Sequence, residues 1–373
     1  MNKYKSLNRD SSSLSHYDYF NNIERYIKYK KIINYLNKID LKNNKCLELY
    51  KKPNQYILAK SIHLYKQIGS ESMYGAVYKA KNINPKFSNI PLFTIKIQLK
   101  SSVVKTELDI TKKLSNYGLN KRVPNLPIIY KAIDCNKVPS DPNYPSIITN
   151  NPKNRNKYTM IINELASGDL NSFLTNKYPD IIDEELWKNV YEQIFISLAI
   201  LHSKGIKHND THDGNFLYHK IKPGGCFHYN INGIDYYIKN LGFIWTSWDY
   251  GLISKLKTQG EYVYDYMEVI ATMRKNDITK ITDDYINHNF YYDYQWGYLA
   301  NSVNVPSSIE KLQMNIFELL GGYNKNNDEY QIKVLKLTED LFFKSLLNKK
   351  ILFSSKPLGI ILTSVNITIP KII

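Results

Sequence analysis

His208-Asn209-Asp210-Thr211-His212-Asp213-Gly214-Asn215-Phe216-Leu217 is the stretch on which the reading of this chain turns. Its skeleton is His-x-Asp, with an Asn five residues after the Asp. A carboxylate at Asp210 can orient an attacking hydroxyl and take its proton, and the amide of Asn215 can reach back to a metal ion.

Other pieces of the same chemistry flank it in a fixed order. Downstream, Trp248-Asp249-Tyr250-Gly251-Leu252 offers a second acid, Asp249, suited to holding Mg²⁺ against phosphate oxygens. Upstream, Phe93-Thr94-Ile95-Lys96 alternates like a strand and ends on an amine. Eleven residues further, Glu107 opens a run with Leu and Ile at helical spacing, so its carboxylate is the expected partner of Lys96. Earlier still, Ile68-Gly69-Ser70-Glu71-Ser72-Met73-Tyr74-Gly75-Ala76-Val77 has the small residues through which backbone N–H groups approach phosphate. Gly69 opens it and Gly75-x-Val77 closes it, with Ser70 or Ser72 in place of a middle glycine.

On these residues the chain resembles the protein kinase superfamily, from about Ile62 to at least Met273. Three details are similar to the divergent serine/threonine kinases of large DNA viruses. They are Cys46-Leu47 followed by Ile68-Gly69-Ser70, the His-Asn-Asp-x-His loop, and the segment before Asp249. The resemblance implies an α+β, two-lobed fold with a small β-rich N-lobe and a larger, mainly helical C-lobe. It implies ATP and Mg²⁺ as cofactors and a protein substrate phosphorylated on serine or threonine, since the tyrosine-kinase Ala-Ala-Arg sequence is missing. Residue by residue, it makes Asp210 catalytic and Asn215 and Asp249 metal ligands. Lys96, paired with Glu107, would grip phosphates under the loop Ile68 to Val77, while Glu164 and Leu165 would present backbone groups to adenine, with Asn163 guarding the space behind. His208 would brace the loop, and Asp265 would hydrogen-bond its backbone.

Three departures keep other readings open. His212 stands where serine/threonine kinases usually have Lys, and Asp-x-His also occurs in small-molecule phosphotransferases resembling aminoglycoside and choline kinases. The missing middle glycine and the absence of Ala-Pro-Glu are what a pseudokinase scaffold would show. Acyl transfer is excluded for want of a nucleophile elbow.

Composition agrees with a packed enzyme. A chain of 373 residues with 43% hydrophobic content can bury one large two-lobed domain or two ordinary ones. The net charge of +16 favours anionic partners, but Lys, Asn, Ile and the 32 Tyr all have A/T-rich codons, so a dedicated nucleic-acid surface is not predicted. Cys46, Cys135 and Cys226 are sparse and odd in number, which argues for an intracellular, reducing compartment. The viral resemblance implies a virion or host cytoplasm. No run approaches the ~20 apolar residues of a membrane span, so no transmembrane segment is expected.

Organisation follows. Residues 1–60 read as an N-terminal extension, polar to about residue 16 and then helical from Tyr17 to Leu36. Residues 61–168 form the N-lobe, with strands beginning near Ile62, a long solvated loop from Asp134 to Asn156, and a strand from Tyr158 to Glu164. Residues 169–373 form the C-lobe. There Asp183 caps a helix running to Ser203, and the thirty-three residues between Asn215 and Asp249 hold an inserted β-hairpin near 218–240. Tyr262 to Met273 reads as a buried helix, and the alternating tail from Leu358 as an extended segment on the core.

Overall fold

The computed structural model describes residues 24–41, 47–50, 52, 54–72, 75–135, 158–174, 183–258, 260–272, 307–320 and 338–370. The polar start of the chain, Cys46, Met73 and Tyr74 lie outside the described residues, as do 136–156 of the loop expected from Asp134 to Asn156, whose first two residues are instead the end of a strand. Of the helical patterns that the sequence carries from Thr282 to Lys349, with breaks at Pro306 and Gly321-Gly322, 282–306 and 321–337 also lie outside. The rest is α+β and divides into two compact units. One takes in Asn21–Asn120 and Pro127–Ala166, the other Lys121–Leu126 and Ser167–Ile373.

The first unit opens with helix α1, Glu24–Leu36. Tyr26, Ile32, Tyr35 and Leu36 fall on one face and are buried, while Lys28, Lys30 and Lys31 stay in solvent. Burying each of these large side chains is worth about 1.5–3 kcal/mol, which explains why the helix docks instead of extending. Seven antiparallel strands follow: β1 Leu47–Leu49, β2 Tyr56–Leu58, β3 Ile62–Ser72, β4 Gly75–Asn82, β5 Phe93–Leu99, β6 Ile129–Cys135 and β7 Tyr158–Glu164. They form one sheet in the order β1-β2-β3-β4-β5-β7-β6. Helix α2, Ser102–Lys121, lies between β5 and β6 in the chain and buries Val104, Glu107, Thr111, Leu114, Ser115 and Gly118 at three- and four-residue steps.

Two expectations are corrected here. Strands begin at Leu47, not near Ile62, because Leu47 and Leu58 pair and bury their side chains together. For the same reason residues 24–60 are not a separate extension: α1, β1 and β2 belong to the core of this unit. Cys135 at the end of β6 is disulfide-bonded, which the sparse cysteines did not suggest, whereas Cys226 is a buried free thiol.

The second unit begins at β8, Gly168–Asp169, which pairs with a strand of that unit, so the division falls at Ser167 instead of residue 169. Asp169 then caps a single helical turn, Leu170–Ser172. Helix α3, Glu184–His202, starts as expected at Asp183, whose carboxylate accepts the Leu186 N–H at 2.9 Å. After it come β9 Ile206–Lys207, a 3₁₀ turn Asp213–Asn215, β10 Phe216–Lys220, β11 Cys226–Ile231, β12 Ile234–Lys239, β13 Phe243–Ser247 and β14 Ser254–Lys255. Helices α4 Tyr262–Thr272, α5 Ser307–Leu319 and α6 Glu339–Asn348 precede the last strand, β15 Ile361–Ile367. Among the described residues these strands make three small sheets, β13-β10-β8, β12-β11-β15 and β14-β9.

The inserted hairpin is present as β11 and β12. Asn232 and Gly233 both take positive φ (48° and 88°), the tight turn whose twist suits a two-residue hairpin. The alternating tail is β15, which runs parallel to β11 and buries Thr363, Val365 and Ile367 while Ser364 and Asn366 face out. The core centres on Phe173, whose ring meets Tyr218, Phe243 and Trp245 edge-on at 5.1, 5.2 and 5.0 Å. Asn125 explains why 121–126 join this unit: its amide donates to Gln193 at 3.1 Å and to the Trp245 carbonyl at 2.9 Å. No helix among the described residues is long and apolar enough to cross a membrane.

Candidate active site

The site residues expected from sequence fall into two groups, one in each unit. In the first unit Lys96 lies on β5 and Glu107 on α2. The expected pair is made, Nζ to Oε1 at 2.8 Å, with both side chains buried. Gln98, not singled out from sequence, donates its amide to the other carboxylate oxygen at 3.0 Å. Two residues apart on one strand, Lys96 and Gln98 project to the same face, so simple alternation could have found Gln98. A buried carboxylate bonded by one cation and one neutral donor is held in place.

The strand register says which neighbours share that face. Lys96 stands opposite Val77 on β4 and Ile161 on β7, and Thr94 stands opposite Asn163. Ile68 pairs with Val77 and joins them, whereas Ala76 pairs with Ile97 and turns its buried methyl to the other side. Any contact of Ala76 with a ligand on the Lys96 face is therefore limited to its backbone. Residues 68–72 pair antiparallel with 75–77, and the register slips between Ile68 and Ser72. Gly69 sits at the slip with φ of +73°, a backbone position that favours glycine. Gly75 is glycine for a different reason: a Cβ there would lie 2.1 Å from the Ile97 carbonyl oxygen. Close packing of β4 on β5 accounts for it without any phosphate.

Glu164 departs from the expectation. Its N–H donates to the Ile128 carbonyl at 3.2 Å, and its carbonyl accepts from the Thr94 hydroxyl at 3.1 Å. Its carboxylate is buried against Arg25 of α1, with Arg25 Nε at 2.5 Å and the terminal guanidinium nitrogen on the second oxygen, and it also accepts the Ile128 N–H at 2.8 Å. The Glu164 backbone groups that were to face adenine are thus engaged in bracing the end of β7. Leu165 follows immediately, half-buried and beyond the strand.

In the second unit the register of β10 and β13 assembles the acids. Phe216 pairs with Ser247, so Asn215 and Asp249 emerge at the same end of the two strands, and the Trp248 N–H donates to the Asn215 carbonyl at 2.8 Å. The Asn215 amide donates to both the backbone carbonyl and the carboxylate of Asp210, each at 2.9 Å. Asp249 holds a left-handed backbone, φ 58°, as does Asn209, φ 61°. Strained positions of this kind persist only where the surroundings impose them.

Those surroundings are specific. Asp265 of α4 accepts the His208 N–H at 2.7 Å and the Asn209 N–H at 2.9 Å, the role expected for it. Glu268, one turn on, accepts the Thr211 N–H and hydroxyl at 2.6 and 2.7 Å. The buried His208 ring bonds through Nε2 to the Trp248 carbonyl at 3.0 Å, bracing the segment before Asp249. Burial lowers the pKa of His208, so the ring is neutral and donates from Nε2. His202 at the end of α3 bonds Asp265 through Nε2 and Glu339 of α6 through Nδ1. Glu268 and Glu339 carry no motif that would have marked them in sequence.

Burial lifts the Asp210 carboxyl above the ordinary carboxylate range, and the nearby charge of Asp249 adds to this, while His212, His208 and the Asn215 amide pull the other way. His212 Nδ1 accepts the Gly214 N–H at 3.0 Å, and Nε2 lies 3.8 Å from an Asp210 oxygen. Burial disfavours its charged form, but Asp213, Asp210 and Glu268 outweigh this and raise its pKa.

For a divalent cation the donors on offer would be the side-chain oxygens of Asn215 and Asp249. The Asn215 amide nitrogen is spent on Asp210, which turns its oxygen away from that carboxylate. Among the described residues no cluster of three or more His, Cys, Asp or Glu could hold a metal on its own. One carboxylate and one amide fit Mg²⁺, which keeps several waters and takes substrate phosphates as ligands. Comparison with protein-family models finds no match, and comparison with curated proteins finds none.

Proposed function

We propose that this protein is an ATP- and Mg²⁺-dependent phosphotransferase, a serine/threonine-protein kinase whose two units are the lobes of a kinase-like fold. The observation that carries the reading is the Asp210–Asn215 hydrogen bond, in a loop pinned by Asp265 and set beside Asp249 by the β10/β13 register. The Lys96–Glu107 pair supplies the buried amine such chemistry needs for phosphate.

In this reading Asp210 orients the acceptor hydroxyl and accepts its proton late, as the oxygen bonds to the γ-phosphorus and ADP departs. Mg²⁺, held by Asn215 and Asp249, would neutralise charge on the phosphate oxygens when bound. Lys96 would hold the α- and β-phosphates, its position set by Glu107 and Gln98. His212 would bring partial positive charge near the transferring group. The same residue favours a second reading, transfer to a small hydroxyl compound, because Asp-x-His is the pattern of those phosphotransferases.

Purified protein incubated with γ-labelled ATP and Mg²⁺ should label a mixed protein substrate on serine or threonine. Asp210→Asn should lower turnover by about 10²–10⁴-fold while ATP binding survives. Label appearing only in small hydroxyl compounds would select the second reading. ATP binding without transfer to either would leave a scaffold, and undiminished labelling by Asp210→Asn would sink the assignment of the catalytic acid.

A further inference from the structure

Among the described residues, the row of side chains on the Lys96 face of the first unit contains two amide oxygens without a hydrogen-bond partner, those of Asn163 and Gln98. Asn163, on β7, is only 3% exposed, and its side-chain carbonyl oxygen has no hydrogen-bond partner. Leaving such a group unpaired costs about 1–3 kcal/mol, so its retention calls for a reason. Of the other polar side chains of that row among the described residues, three are bonded within the unit. Thr94 donates to the backbone carbonyls of Asn163 and Glu164, Thr159 donates to Asp134, and Gln98 donates to Glu107. Gln98 also carries an unpartnered carbonyl oxygen, but its amide is tied beside Lys96.

Position narrows the reason. Asn163 stands opposite Thr94, two residues from Lys96 on the neighbouring strand, which is about 7 Å along the sheet on the same face. Its backbone is held still: the next residue, Glu164, is clamped by Arg25, Ile128 and Thr94. A fixed amide set back by that span from an amine that held phosphates would lie where the base of the same nucleotide reaches. An amide offers an acceptor and a donor side by side. Adenine offers the complement, the N6 amine and the N7 acceptor, whereas guanine presents acceptors at both O6 and N7.

We infer that Asn163 is a specificity-determining residue that pairs through its side-chain amide with the N6 amine and N7 of adenine and so selects adenine over guanine nucleotides. This rests on the nucleotide-binding reading above and adds to it the group that reads the base. It also assigns to a side chain the recognition that the engaged backbone of Glu164 does not provide.

The test is direct binding of ATP, 7-deaza-ATP and GTP, each with Mg²⁺, to the wild-type protein and to Asn163→Leu and Asn163→Ala. The wild type should bind ATP more tightly than 7-deaza-ATP, which lacks the N7 acceptor, and more tightly than GTP. Both variants should lose about tenfold in ATP affinity, keep their GTP affinity, and no longer distinguish ATP from 7-deaza-ATP. Without nucleotide, Asn163→Leu should unfold at the same temperature as the wild type or higher, because it removes an unpaired buried polar group; a purely structural Asn163 would lower it. ATP binding unchanged in both variants, or equal losses for all three nucleotides in Asn163→Ala, would overturn the inference and leave the kinase reading standing. If the wild type binds none of the three, the nucleotide reading falls and takes this inference with it.

Discussion

His202 gives a prediction with a calculable size. Its two ring nitrogens each meet a carboxylate, Nδ1 with Glu339 at 2.6 Å and Nε2 with Asp265 at 2.9 Å, so both must donate and the ring is an imidazolium. Burial alone would lower its pKa, but Glu339 and Asp265 raise it to about 9 from 6.5. A group whose folded-state pKa is raised stabilises the fold at pH values below its unfolded pKa, and the benefit disappears as pH climbs through the folded value. For a shift of this size the contribution is roughly 3 kcal/mol, complete below about pH 6.5 and gone above about pH 9. Glu339→Gln removes the charge but keeps an oxygen that can accept from His202 and from the Tyr266 hydroxyl. The variant should therefore be less stable than the wild type by about 2–3 kcal/mol near pH 6, with the gap closing as pH passes 9. Urea unfolding at a series of pH values, compared by midpoint at constant slope, measures the gap. A gap that is absent at pH 6, or that stays constant to pH 10, would refute the charged state of His202.

The clamp on β7 is tested by Arg25→Ala, which strands a buried carboxylate and should cost about 3–5 kcal/mol in urea unfolding. Arg25→Met combined with Glu164→Gln should recover most of that loss, since no uncompensated charge remains. Gly75→Ala should destabilise by about 1–3 kcal/mol in thermal unfolding because its methyl meets the Ile97 carbonyl. Gly69→Ala, with nothing within 4 Å of its Cβ, should cost only about 1 kcal/mol from its positive φ.

How much of this was legible depended on the range of the interaction. Strand Tyr158–Glu164 and the helix capped by Asp183 coincide with their apolar patterns, because burial there is set by local periodicity. Lys96 and Glu107 are eleven residues apart on consecutive elements, close enough for strand-then-helix spacing to pair them. The hairpin carried an unused signal: Asn232-Gly233 is the dipeptide that a tight turn with two positive φ values prefers. Partners far apart in sequence were not legible. Arg25 and Glu164 are separated by 139 residues, and His202 and Glu339 by 137. Nothing in either neighbourhood names its partner, since such pairs are selected by how whole faces pack. Glu164 misled for that reason: its place at the end of a strand pointed to an open backbone, and only the docked helix shows it to be occupied.

The parallel pairing of β15 with β11 carries a consequence for how the second unit comes to exist. A ribosome delivers β11 and β12 more than a hundred residues before Ile361–Ile367, so a nascent hairpin must wait with one flank of amide and carbonyl groups hydrated. Its completion is deferred until Ile361–Ile367 has been synthesised. A strand that closes the ladder so long after its partner makes a distant segment, and not the loop bearing Asp210, the late arrival in the unit that houses that loop.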